Sequence, residues 1–276
     1  MKALTLLAAV AITAPAPVTA VSANGGSLAY ATAWTKRACE RVWLRGKAFP
    51  TGQCPEVSTG RGVASVAVAG TRVIWLSYVG GNIREWSLLT STTTRPKPRL
   101  LRFVARDVDL PSPIVLGAAG GVIPYAVGRS VVALNAKGSR AFAWTAPSNV
   151  RALAASGSSV AVAVDGGKAY VVRGGAVVRA IAVDGEIDAV ALAGSTLVLQ
   201  RGRVLDLRVG STSRTWTLPA SAKLQDASAT QAIYVAGGKV HALRFADGTH
   251  TVVATGTLAQ LDGGRTFVVS GNRIAN

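Results

Sequence analysis

Residues 154–185 read AASGSSVAVAVDGGKAYVVRGGAVVRAIAVDG, four apolar runs separated by turn signals at Gly157, Gly166–Gly167 and Gly174–Gly175. Each run is only four to eight residues long and is rich in Val, Ala, Tyr and Ile. That is too short for a globular helix, and β-branched and aromatic side chains suit a pleated, half-buried surface. Paired glycines supply the positive φ that tight hairpin turns need. Four such strands in series make one antiparallel meander.

The same unit recurs outward in both directions. Small residues followed by a turn residue end at Gly25, Gly70, Gly120, Gly157, Gly194, Thr230 and Gly263, at spacings of 45, 50, 37, 37, 36 and 33 residues. A second turn follows most of these marks, as at Gly80–Gly81, Gly128, Gly202, Gly237–Gly238 and Gly271. A third turn comes later, as at Asn135-Ala136-Lys137-Gly138 and Ala246-Asp247-Gly248. A repeat near 40 residues holding about four strands is the pattern of a β-propeller blade. The expected fold is therefore all-β, a propeller of about seven four-stranded antiparallel blades, with six blades or a sandwich of Gly-rich hairpins as the alternatives.

The last repeat stops at Asn276 after RTFVVSG and NRIAN, short of a full meander. Pro15 and Pro17 argue against an added N-terminal strand, since proline donates no ladder hydrogen bond. The expectation is an incomplete seventh blade held by apolar contacts of Phe267, Val268 and Val269. Trp34, Trp43, Trp75, Trp86, Trp144 and Trp216 fall on or beside strands and read as core or inter-blade packing. Residues 90–99, TSTTTRPKPR, read as a polar loop.

The N-terminus reads as a secretory signal. Lys2 precedes an apolar stretch from Ala3 to Ala14, and a small-residue cleavage site follows after Ala20 or Ala23. That divides the chain into residues 1–20, a signal peptide, and 21–276, a single propeller domain. The apolar stretch is too short to span a bilayer, so no transmembrane anchor is expected. In an exported chain the two cysteines, Cys39 and Cys54, are expected to form a disulfide. Two free buried thiols are the alternative.

The formal charge is +17, from 30 basic and 13 acidic residues. Residues 24–106 carry 13 basic residues against 3 acidic ones. Arg37, Arg41, Arg45, Arg61, Arg95, Lys97 and Arg99 are the anion-binding candidates in this stretch. Such an excess attracts anionic polymers or membrane surfaces, although an Arg-rich codon habit gives the same composition.

VVALNAKGSRAFAW (131–144) resembles the strand–turn–strand unit of bacterial quinoprotein-type propellers, and VHALRFADGTHTVV (240–253) is similar but lacks the Trp. The resemblance covers the repeat unit and implies a propeller. It does not extend to quinone-dependent dehydrogenation. Those enzymes use adjacent cysteines and calcium ligands, whereas Cys39 and Cys54 stand 15 positions apart and no ligand set matches. It implies the non-catalytic propellers of this type, which act as scaffolds in the cell envelope.

No catalytic set emerges. His241 and His250 have no carboxylate pattern beside them, and no Gly-Xaa-Ser-Xaa-Gly elbow leads into a helix. Asp184, Glu186 and Asp188 alternate at period two and so share one face of an extended segment. They read as a possible cation or channel-end cluster, or as a solvated connection between blades. The expectation is an exported, non-enzymatic binding or scaffolding module, monomeric and without cofactor, with a protein or an anionic polymer as partner. The alternatives are a propeller hydrolase or sugar dehydrogenase with a channel-end metal, and a basic surface protein that binds anionic polymers.

Overall fold

The structure, a computed structural model, describes residues 11–36, 39–51 and 60–276. Among these residues the strands form seven four-stranded antiparallel sheets arranged as a propeller ring. Blades 1 to 6 are consecutive meanders over residues 18–50, 62–107, 114–145, 150–182, 189–217 and 223–255. The sequence marks fall at the turn between the first, innermost strand and the second. Gly25, Gly70, Gly157, Gly194 and Gly263 there have φ of 58, 59, 55, 60 and 56°, which an L side chain rarely adopts.

The third mark works differently. A Cβ on Gly117 would lie 2.5 Å from the Leu153 Cβ, and one on Gly120 would lie 2.8 Å from the Ala155 backbone. These glycines let the inner edge of blade 3 press against blade 4. There the Ala155 N–H donates to the Ala118 carbonyl at 2.9 Å.

The seventh blade corrects the sequence expectation, because it is complete. Strands Leu258–Asp262, Arg265–Ser270 and Arg273–Ala275 are joined on the outside by Ile12–Thr13. Ile12 pairs with Ile274 and Thr13 with Arg273. Pro15 and Pro17 do not interfere, since the added strand ends before them and they occupy the link into blade 1. That link is itself tied down. Ala14 N–H donates to the Asn272 carbonyl at 2.8 Å, and Val18 N–H to the Gly271 carbonyl at 2.9 Å. Ala14, Ala16, Val18 and Ala20 are buried.

The core is not one mass but a cycle of inter-blade clusters. Trp75 and Phe49 join blades 1 and 2, Trp86 and Tyr125 join blades 2 and 3, and Phe142 and Leu153 join blades 3 and 4. Val171 with Leu197, Leu205 with Tyr234, and Val240 with Val268 continue the series. Val18 and Tyr30 with Val269 and Ile274 close it. Trp43, Trp144 and Trp216 pack against these clusters as partly buried rings, as expected.

Three arginines tie neighbouring blades through main-chain carbonyls. Arg72 of blade 2 donates to Ala136 O at 3.0 Å and Lys137 O at 2.7 Å in blade 3. Arg179 of blade 4 donates to Gly210 O at 2.8 Å in blade 5. Arg214 of blade 5 donates to Phe245 O at 3.1 Å in blade 6.

Candidate anion-binding cleft

In an up-and-down meander the first and third turns of every blade lie on one face of the ring, and the second turns and the inter-blade links lie on the other. Arg72 starts the second strand of blade 2, Arg95 and Lys97 lie in its third turn, and Arg99 starts its outer strand. Lys137 lies in the third turn of blade 3. All five therefore share one face, and they line one cleft of about 960 Å³ between the two blades.

Local structure fixes Arg72 and the turn that carries Arg95. Thr90–Thr92, expected in a loop, instead completes the strand Ile83–Thr92. The turn beyond it is closed on itself. Arg95 N–H donates to Thr92 Oγ1 at 2.9 Å, and Ser91 Oγ donates to Arg95 O at 2.9 Å. Arg72 has no such freedom either, since Nη1 also donates to Thr90 Oγ1 at 3.0 Å. Gly138 (φ +84) lies flat against this guanidinium, where a Cβ would be 2.4 Å from Arg72 Cζ. Burial first, then the charge of Arg99, pulls the Arg72 guanidinium below its usual pKa. The lining holds no carboxylate and no aromatic ring.

The other sequence candidates scatter. Arg37 lies outside the described residues. So does Cys54, and with it the expected disulfide to Cys39. Arg41 is exposed at the start of the strand Arg41–Leu44, at the opposite end of blade 1. Arg45 donates to Ser27 Oγ at 3.0 Å. Arg61 is not part of the basic surface, because its Nε donates to Glu40 Oε1 at 2.6 Å and the side chains are only 7% and 2% exposed. Arg95, Lys97 and Arg99 do come together. Arg72 and Lys137, which complete the group, are 65 positions apart, and no spacing rule in the sequence joins them.

Asp184, Glu186 and Asp188 are exposed on the link between blades 4 and 5, on the face away from the cleft. Glu186 Oε1 accepts from Gly166 N–H at 3.0 Å, Asp188 Oδ2 accepts from Gly202 N–H at 2.6 Å, and the Asp184 carbonyl accepts from Arg201. Two of the carboxylates thus serve different turns. Among the described residues no group of three His, Cys, Asp or Glu side chains is placed to hold a metal.

The mouth of the central channel, a cavity of about 570 Å³, opens on the same face as the cleft and contains Asp226 and Asp262. Asp262 accepts from Gly25 and Gly26 N–H at 2.9 and 2.7 Å, linking blade 7 to blade 1. Asp226 accepts from Ala227 N–H at 2.8 Å and Leu261 N–H at 2.9 Å, linking blade 6 to blade 7. Burial pushes the Asp226 carboxyl up to about 6, Asp262 adds to this, and the two N–H donors oppose it. A carboxyl raised above its unfolded value keeps its proton longer in the folded protein. Its share of stability is therefore greatest below the unfolded pKa and falls as pH rises towards about 6. The melting temperature of the native protein, measured against that of Asp226→Asn, is expected to drop between about pH 4 and pH 6 and to level off above. A constant difference across that range removes this role for Asp226.

The two histidines meet around one tyrosine. Tyr234 hydroxyl lies 2.8 Å from His250 Nδ1, and the His241 ring stacks on Tyr234 at 4.9 Å. Neither the channel mouth nor this cluster pairs a nucleophile with a base and an orienting carboxylate.

No family model and no curated protein matches the chain. Solved structures do. The WD40 β-propeller domain of Doa1 matches with a TM-score of 0.61 at 12% identity, covering 96% of this chain and 94% of that one. Sqt1 of Saccharomyces cerevisiae gives 0.56 at 12% identity, with 96% and 97% covered. A chain of the mitotic checkpoint complex gives 0.58 at 13% identity, with 96% and 93% covered. At these identities the likeness is one of fold.

Proposed function

We propose that this propeller is an exported, non-catalytic binding module that captures an anionic ligand in the cleft between blades 2 and 3. The observation that carries the reading is the composition of the cleft, which gathers Arg72, Arg95, Lys97, Arg99 and Lys137 with no carboxylate among its lining residues. Propellers act widely as rigid platforms, and function lies in the sites grafted on them. The apolar N-terminus, the two cysteines and the resemblance of the repeat to envelope scaffolds of the quinoprotein type support a place outside the cytoplasm.

The test is retention on a heparin matrix. Binding is expected to weaken linearly in log salt with a slope of about −4, as neutralising four or five anionic groups requires. Retention that ignores ionic strength, or none at low salt, overturns the proposal. The protein is expected to run as a monomer by light scattering, with a cleft in every copy.

A further inference from the structure

Within that anionic-ligand reading, we infer that the cleft seats a tetrahedral oxyanion, a phosphate or sulfate group, carried on a polyhydroxylated chain, with Arg72 and Arg99 as its anchors. The first ground is preorganisation. Arg72 is fixed by Ala136 O, Lys137 O and Thr90 Oγ1 before any ligand arrives. Three of its five N–H groups are taken by these partners, which leaves one on Nη1 and one on Nη2 for an oxyanion, and little entropy remains to be lost on binding. A Cβ on Gly138 would displace this guanidinium from its carbonyl partners.

The second ground is uncompensated charge. Arg99 is close enough to oppose the charge of Arg72, and no carboxylate in the lining relieves the pair. A phosphate monoester, with close to two negative charges, or a sulfate ester, with one charge shared over three oxygens, can bridge two guanidinium groups; a carboxylate has only two oxygens in one plane to do so.

The third ground is the rest of the wall. Exposed Thr71, Thr94 and Ser139 offer hydroxyls that both donate and accept, which suits a carrier rich in hydroxyl groups. No aromatic ring lines the cleft to stack a nucleobase, the usual platform for single-stranded nucleic acid. At about 960 Å³ the space far exceeds one oxyanion, so several units of a chain fit with it.

The experiment titrates the full-length protein with four polyanions of matched charge density: dextran sulfate, dextran phosphate, carboxymethyl dextran and an oligothymidylate. Dextran sulfate, dextran phosphate or both are expected to bind about tenfold more tightly than the other two, the size of one charge-assisted hydrogen bond. The phosphate and sulfate arms show which oxyanion the cleft favours. Arg99→Gln is expected to abolish the preference, and Arg99→Lys, which keeps the charge but not the fork, to restore only part of it. Arg99 is exposed, so an unchanged melting temperature certifies both variants. Equal binding of all four polymers, or a preference that survives Arg99→Gln, overturns the oxyanion seat and leaves the polyanion reading standing. Failure of every polymer to bind in a salt-sensitive way overturns both.

Discussion

A chain that begins at Val21 is expected to melt at least about 10 °C below one that begins at Ala11. The shorter chain loses the Ile12–Thr13 strand and the buried side chains of Ala14, Ala16, Val18 and Ala20. At about 0.8 kcal/mol per buried CH₂, and more for Val18 and Ile12, the lost burial amounts to roughly 5 kcal/mol. For a domain of this size each kcal/mol moves the melting temperature by about 2–4 °C. The truncated ring also leaves Arg273–Ala275 as an unpaired edge, a template for association, so the shorter chain is expected to form oligomers on size exclusion. Equal melting temperatures would show the closing strand to be dispensable. Signal cleavage after Ala20 would produce this same shorter chain, and cleavage after Ala23 one shorter by three more residues, each with the three-stranded last blade that the sequence suggests. On the export proposal, the mass of the mature protein therefore reports which ring exists: a terminus upstream of Ile12 keeps the closure, and one at Val21 or beyond discards it.

Arg61→Ala is expected to destabilise the protein by about 4 kcal/mol, because it strands the Glu40 carboxylate, 2% exposed, without its partner. Glu40 has little reserve, since its second oxygen has no hydrogen-bond partner among the described residues. Replacing both residues together, Glu40→Leu with Arg61→Leu, is expected to be close to neutral, since it removes both desolvation penalties at once. Denaturant unfolding of the three variants decides it. A loss below about 1 kcal/mol for Arg61→Ala would mean that the carboxylate finds other solvation.

The ring was legible in the sequence because its information is local. Each hairpin needs a positive φ at a fixed place, and Gly157 or Gly194 announces it. The closing strand was not legible, because Ile12 and Thr13 sit inside an apolar run whose composition serves a leader equally well, and two residues carry no periodicity. Arg61 looked like any other surface cation, since its neutralisation depends on Glu40 being folded against it. The cleft was half legible. Arg95, Lys97 and Arg99 lie side by side in sequence. Arg72 and Lys137 join them only because the third turn of one blade abuts the second strand of the blade before it. Asp226 and Asp262 likewise become one channel mouth only when the ring closes.

The ties made by Arg72, Arg179 and Arg214 have an effect that reaches beyond their own contacts. A guanidinium that donates to peptide carbonyls spends part of its hydrogen-bonding capacity but none of its charge. Blade boundaries secured in this way add positive charges that form no ion pair among the described residues, so the scaffold itself contributes to a long-range field. Such a field draws anionic molecules in from solution and speeds their encounter before any specific contact forms, and it fades over about 10 Å at 0.1 M salt. On the reading proposed above, the ring draws anions by virtue of how it is held together, and the cleft between blades 2 and 3 is where that attraction meets Arg72, already held in place.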